Sequence, residues 1–169
     1  DSQFTIYNPD GDENDVHISA GDYSWTRGLI GFQTSTRRNL QLSHDYSFGD
    51  FFDGTRIENR SELTFLPSKH FGTVLSYSKQ DVELPTGDFN IKLASLTALI
   101  NFTPDFSWSN LFQYDNISDS MGFNSRLIWE YRPGARIFLV LNQSYLDERS
   151  GFVLKQMDTT LKLSSIFRF

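Results

Sequence analysis

The stretch GFNSRLIWEYRPGARIFLVLNQSY, residues 122–145, reads as two strands around the tight turn Arg132-Pro133-Gly134-Ala135. Side chains alternate along a strand with period two. Phe123, Leu127, Trp129 and Tyr131 therefore share one face, and Asn124, Arg126, Glu130 and Arg132 share the other. One face is aromatic and oily, the other charged. Which of them meets solvent, and what kind of solvent, decides the fold.

The same rhythm runs through the chain. Turn signals recur at Asp53-Gly54, Pro67-Ser68, Pro85-Thr86-Gly87-Asp88, Thr103-Pro104-Asp105, Ser118-Asp119, Pro133-Gly134 and Ser150-Gly151. The segments between them are rich in β-branched and aromatic residues. Strands are expected at 21–34, 39–50, 54–66, 70–81, 88–102, 106–117, 120–132, 136–146 and 157–169, with a shorter one at 2–8. No segment reads as a helix. The organisation expected is a short strand and acidic loop over 1–20, followed by one body of antiparallel strands over 21–169.

Composition excludes several classes. The chain of 169 residues is the size of one domain, with 38% hydrophobic and 15% aromatic residues. No apolar run approaches the roughly 20 residues of a membrane-spanning helix. The absence of cysteine removes disulfide scaffolds and thiolate metal sites. A net charge of −6 with no basic stripe argues against a nucleic-acid partner. No secretory signal opens the sequence, so Asp1 reads as a processed end or the start of a fragment.

Alternation holds in most strands. Leu40, Leu42, His44, Tyr46 and Phe48 oppose Gln41, Ser43, Asp45 and Ser47; Ile57, Leu63 and Phe65 oppose Arg56, Glu58, Arg60 and Glu62. Phe106, Trp108, Phe112 and Tyr114 oppose Ser107, Ser109, Gln113 and Asp115. It slips in 88–102, where Phe89, Ile91 and Leu93 are out of phase with Leu96, Ala98, Ile100 and Phe102. A β-bulge near Ala94-Ser95 is the expected cause.

Periodicity does not say which face is inside. A soluble barrel or sandwich puts the oily face inward; a transmembrane barrel inverts this, with lipid outside and a polar lumen. Three features favour inversion. Aromatics gather near both strand ends: Phe65, Phe71, Phe102, Phe106, Trp108, Trp129, Tyr131, Phe167 and Phe169 beside one set of turns, and Tyr46, Phe48, Tyr77, Phe89, Tyr114, Phe123 and Tyr145 at the other. Aliphatic Leu42, Leu75, Leu127, Leu139 and Leu161 lie between, as two membrane interfaces around a hydrocarbon band favour. Connections at Pro67, Pro104 and Pro133 read as minimal, whereas 82–87 and 147–156 read as longer and polar. Finally, the terminal Phe167-Arg168-Phe169 would be a liability on a soluble surface.

The ending LKLSSIFRF resembles the C-terminal strand of bacterial outer-membrane β-barrel proteins, whose closing aromatic is read by the assembly machinery. YSFGDFFDGTR, LPTGDF and FSWSNLFQYDNISDSMGFNSRLIWEYRPGARIFLVLNQ are similar to the C-terminal barrel portion of an uncharacterised outer-membrane family that often carries an N-terminal carbohydrate-binding module. The resemblance spans roughly residues 20–169 and is most specific over 106–143. It implies partners in outer-membrane lipid, the barrel-assembly machinery, and other chains or the remainder of a larger barrel. It supplies no catalytic residue. It also puts the Pro67, Pro104 and Pro133 turns in the periplasm.

Candidate sites follow from the polar face. Arg56, Glu58, Arg60, Glu62, Lys92, Arg126, Glu130, Arg132, Lys162 and Arg168 are expected to line the lumen, either as a conducting wall or as cross-strand ion pairs filling a narrow cylinder. Phe65, Phe106, Trp108, Trp129, Tyr131, Phe167 and Phe169, with Tyr46, Tyr77, Tyr114 and Tyr145, are expected at the membrane interfaces. Ser43-His44-Asp45 has the composition of a triad, but neighbours on a strand point to opposite faces, and His17 and His70 are not placed for such chemistry. Asp10, Asp12 and Asn14 alternate as in a calcium loop, yet Asp15 stands where its glycine belongs and Gly21 where its distal Glu belongs. A solvated acidic loop is the reading there; no metal, cofactor or enzymatic activity is expected.

The expectation is an all-β, antiparallel, up-and-down transmembrane barrel, or the C-terminal segment of a larger one, with about nine or ten strands, acting as a passive pore or scaffold in a bacterial outer membrane. The alternatives are the barrel part of a carbohydrate-utilisation or hydrolase outer-membrane protein, and a soluble β-barrel binding an apolar ligand.

Overall fold

The computed structural model describes the backbone of residues 4–6 together with residues 16–148 and 151–166. It is all-β. A two-stranded pair, β1 (Phe4–Ile6) and β2 (Val16–Ile18), precedes β3 (Arg27–Gln33), β4 (Leu40–Phe51), β5 (Gly54–Ser68), β6 (Phe71–Leu84), β7 (Gly87–Thr103), β8 (Phe106–Asp115), β9 (Ser120–Arg132), β10 (Ala135–Glu148) and β11 (Gly151–Ser165). The last nine form one sheet in sequence order, every neighbouring pair antiparallel. Such an up-and-down meander is what short turns between long, two-faced strands allow. Among the described residues, β3 and β11 pair with one neighbour each and not with one another.

The opening hairpin forms where the sequence places it. Pro133 supplies the φ of the first turn position, and Gly134 takes the left-handed conformation (φ 76°) required next. Glu130 locks the turn: Gly134 N donates to its Oε1 at 3.0 Å and Arg136 Nε to its Oε2 at 2.6 Å. Ala135, beneath them, is 1% exposed. At the opposite end, Phe52 holds a positive φ of 53° in the β4–β5 turn, a conformation costly for an aromatic residue. Its ring meets Tyr23, Trp25 and Phe51 edge-on, at centroid distances of 5.3, 5.5 and 4.7 Å.

Several expectations are corrected. The 21–34 strand is confined to Arg27–Gln33, and β2 lies in the span 9–20 expected to be loop. The polar loops expected at 82–87 and 147–156 are largely strand: β6 and β7 are joined by residues 85–86, and β10 and β11 by residues 149–150. Connections are thus short at both ends, because cross-strand hydrogen bonding carries the hairpins to their tips. No bulge occurs near Ala94-Ser95. The β6–β7 ladder runs unbroken from Leu84↔Gly87 to Phe71↔Ile100, and β7 pairs evenly with β8 from Leu93 to Asn101. Register shifts fall instead near the turns, at Phe65/Ser68, Asn101/Thr103 and Ala135/Arg136, and at Ser144/Tyr145.

The slip in β7 has another cause. Phe89, buried with Val82 and Leu84, packs against Val16 and Ile18 of β2. That cluster, flanked by Tyr23, Phe51, Phe52 and Ile91, contains all but one of the buried hydrophobic residues described, the exception being Ala135. Thr86 ties the hairpin down: its hydroxyl donates to His17 O at 2.8 Å and accepts from His17 N at 3.2 Å. The apolar phase of β7 therefore changes face because a small hairpin covers the other face at that end. Phe89 belongs to this cluster and not to an exposed aromatic belt.

Candidate functional site

Directly paired residues lie on the same face of a sheet, so the registers sort every side chain. One polar row runs Ser43↔Glu62↔Ser76↔Ser95↔Gln113↔Gly122↔Ser144 from β4 to β10. The next runs Asp45↔Arg60↔Ser78↔Leu93↔Asp115↔Ser120↔Leu146. The β4–β9 members of both rows border a groove of about 630 Å³ whose wall mixes five serines and Asp45, Arg60, Glu62, Gln113 and Asp115 with Leu93, Ala94, Tyr77 and Tyr114. Because six neighbouring strands, β4 to β9, border one groove, this side of the sheet is concave.

The expected lining residues divide as follows. Arg56, Glu58, Arg60, Glu62, Arg126, Glu130 and Lys162 share the polar face, by register. Lys92 does not: it pairs with Lys79 and stands in phase with Ala94, Leu96 and Ile100 on the opposite face. Arg132 lies at the turn beyond the register shift, its guanidinium 5.6 Å from the Tyr131 ring. Arg168, Phe167 and Phe169 lie outside the described residues. Arg27 and Arg136 belong to the polar face and were missed, although the same alternation that selected Arg126 would have found them.

The ion pairs run along the wall more than across it. Glu58 lies 3.6 Å from Arg56 and 2.9 Å from Arg60, all three on β5. Two pairs cross strands among the described residues: Glu130–Arg136, committed to its turn, and Glu148–Lys155 near the β10–β11 tip. Glu62 accepts from Ser76 Oγ at 3.3 Å, and Asn124 Nδ2 donates to Asn142 Oδ1 one row further. At the rim, Arg27 approaches the Trp25 and Phe51 rings (5.6 and 5.8 Å) and Arg56 lies 5.2 Å from Phe51, forming a cation–π cluster that sequence reasoning did not find.

The opposite face is apolar. Leu42↔Leu63↔Leu75↔Leu96↔Phe112↔Phe123 form an unbroken cross-strand row from β4 to β9. Leu42, Leu63, Leu75, Leu96 and Phe112 are 38, 37, 47, 39 and 42% exposed, with no element over them among the described residues. A second row follows, Phe71↔Ile100↔Trp108↔Leu127↔Leu139↔Leu161. Towards one end come Phe65, Phe106, Trp129 and Tyr131, with Phe102 stacked on Phe106 at 4.7 Å and Phe106 6.2 Å from Trp129. Towards the other come Tyr46, Tyr77, Tyr114 and Tyr145. Trp108 turns its indole N–H to Ser125 Oγ at 2.8 Å, so its polar atom is satisfied within the sheet.

The other sequence candidates do not assemble. His44 is on the apolar face, its Nδ1 2.8 Å from Ser61 Oγ, while Ser43 and Asp45 face the groove. His70 Nδ1 lies 2.8 Å from Asn101 O at a turn. The Asp10, Asp12 and Asn14 loop lies outside the described residues, and among the described residues no group of three or more potential ligands could hold a metal. Comparison with family models, curated proteins and solved structures finds no match to this chain.

Proposed function

We propose that this chain forms the wall of a membrane-spanning β-barrel of the bacterial outer-membrane type, acting as a passive pore or scaffold around a polar lumen. The observation that carries the reading is the uncovered row from Leu42 to Phe123, on the convex side of a sheet whose concave side is lined with hydroxyls and charges. In water such a band is a large aggregation-prone patch. In hydrocarbon the exposed two-fifths or so of each of those side chains gains about 1 kcal/mol. Backbone groups paired strand to strand satisfy the other demand of lipid. The tyrosines and tryptophans at the ends of the band suit the two interfaces. A soluble ligand-binding barrel needs the opposite arrangement, with the greasy face concave.

A conduit suits the groove better than a packed plug. Of its charged residues Arg60 pairs along β5 with Glu58, and no ion pair spans the space beside Ser76, Ser95 and Gln113 among the described residues. Membrane fractionation tests the reading: the protein is expected to resist alkaline extraction and to need detergent. Recovery from membranes in plain buffer refutes it. Stepwise conductance in planar bilayers is the expected signature of the conduit, and a silent bilayer leaves the scaffold role.

A further inference from the structure

We infer that the sheet is completed by an odd number of additional amphipathic β-strands, of a sequence other than residues 27–165, seated between β11 and β3. The inference rests on the membrane-barrel reading and fixes what kind of partner the two free edges take.

Eight antiparallel steps separate β3 from β11, so the two edge strands run the same way. Joining them directly would create a single parallel seam in an otherwise antiparallel ring. Evenly alternating closure needs an odd number of strands between them. A second copy of the chain does not meet this need. Two copies related by an axis along the membrane normal bring β11 against β3 in parallel, twice. Two copies that pair β11 with β11 antiparallel place one of them upside down in the bilayer. β1 is engaged elsewhere, paired with β2 at the β6–β7 tip.

The edges are built for continuation. β11 is exposed over all of its 15 residues, without a proline. It still keeps both faces: Met157, Leu161 and Leu163 continue the apolar side, and Gln156, Asp158, Thr160 and Lys162 the polar side. At β3, Ile30 and Phe32 remain 67 and 54% exposed on the apolar face. An unpaired edge of this length has no water to satisfy it in hydrocarbon. The incoming strand on each side must therefore alternate in phase, apolar outward and polar inward.

Photo-crosslinking in the full polypeptide, in its native membranes, tests this. Benzoylphenylalanine is placed singly at Thr159 and at Leu163 on β11, and at Ile30 on β3, and the captured peptides are sequenced. Adducts are expected on segments outside residues 27–165, and moving the probe from 159 to 163 should shift the captured residue about four positions towards the N-terminus, the mark of antiparallel pairing. Capture of residues 27–33 by the β11 probes, capture of 151–165 of another copy, or no adduct at either edge overturns it. Alkaline extraction of the same sample reports separately on the membrane reading. Soluble protein overturns that reading alone, whereas extraction-resistant protein with β11 crosslinked to β3 overturns completion alone.

Discussion

Along β6 and β7 the two faces exchange roles at the Lys79↔Lys92 pair. On one side of it, Leu75 and Leu96 stand uncovered on the convex face while Ser76 and Ser95 line the groove. On the other side, the convex face carries Asp81, Glu83, Asp88 and Asn90, and Val82, Leu84 and Phe89 are buried on the concave face beneath Val16 and Ile18. The same two strands are inside-out in one region and ordinary in the other. The boundary is charged: Lys79 pairs with Asp81 at 2.8 Å. A strand whose oily face changes without a bulge is reporting a change of surroundings. On the membrane reading, that pair marks where strands leave the bilayer and begin to fold as a small water-soluble cap.

The most disruptive way to challenge the contrast is to put a charge on the convex band. Leu75→Arg and Leu96→Arg together should each cost about 2–4 kcal/mol at mid-membrane and prevent stable insertion, seen as loss of extraction-resistant protein. Arg at Asp81, on the same face beyond the boundary, should insert normally. Equal effects at both heights would remove the distinction. Next in size, Phe89→Ala should cost about 3 kcal/mol, as truncation of a buried aromatic does. That loss should be confined to the cap: hydrogen exchange and proteolysis near residues 16–18 and 84–89 should rise, while extraction resistance stays. Smaller again is Glu130→Gln, which weakens the bonds to Gly134 N and Arg136; a loss of about 1–2 kcal/mol is expected, read as a lower unfolding midpoint in denaturant.

The strands were legible because alternation and turn residues act locally. Pro133-Gly134 specifies its own turn, and Trp129 and Arg126 declare opposite faces whatever surrounds them. The nine-stranded antiparallel body followed directly from this. What was not legible depends on contacts distant in sequence. Phe89 looks like a belt aromatic until Val16, far back in the chain, is seen to cover it. Lys92 falls on the groove side only if a bulge near Ala94-Ser95 restores a single phase; with the ladder unbroken it stands on the other face. The 82–87 and 147–156 segments look like loops because their residues are polar, yet polar residues also make strands that stand in water. Of the groove, the charged residues on β5 were legible, but their pairing along the strand was not.

The gentlest test asks what the groove side contributes. Arg60 is paired with Glu58, but its side chain is 66% exposed, against 14% for Glu58. An exposed pair of that kind contributes little stability, about 0–1 kcal/mol, so Arg60→Ala should leave extraction resistance and unfolding nearly unchanged. Its effect should fall on ions instead. Removing one positive charge opposite Asp45 and beside Glu62 leaves that part of the wall more negative, so reversal potentials in a salt gradient should move towards cation preference. Glu62→Gln should move them the other way, with a similar indifference in stability. If both substitutions destabilise the sheet and neither moves the reversal potential, the charges of β5 are structural filling, and the concave face differs from the convex one in chemistry but not in purpose.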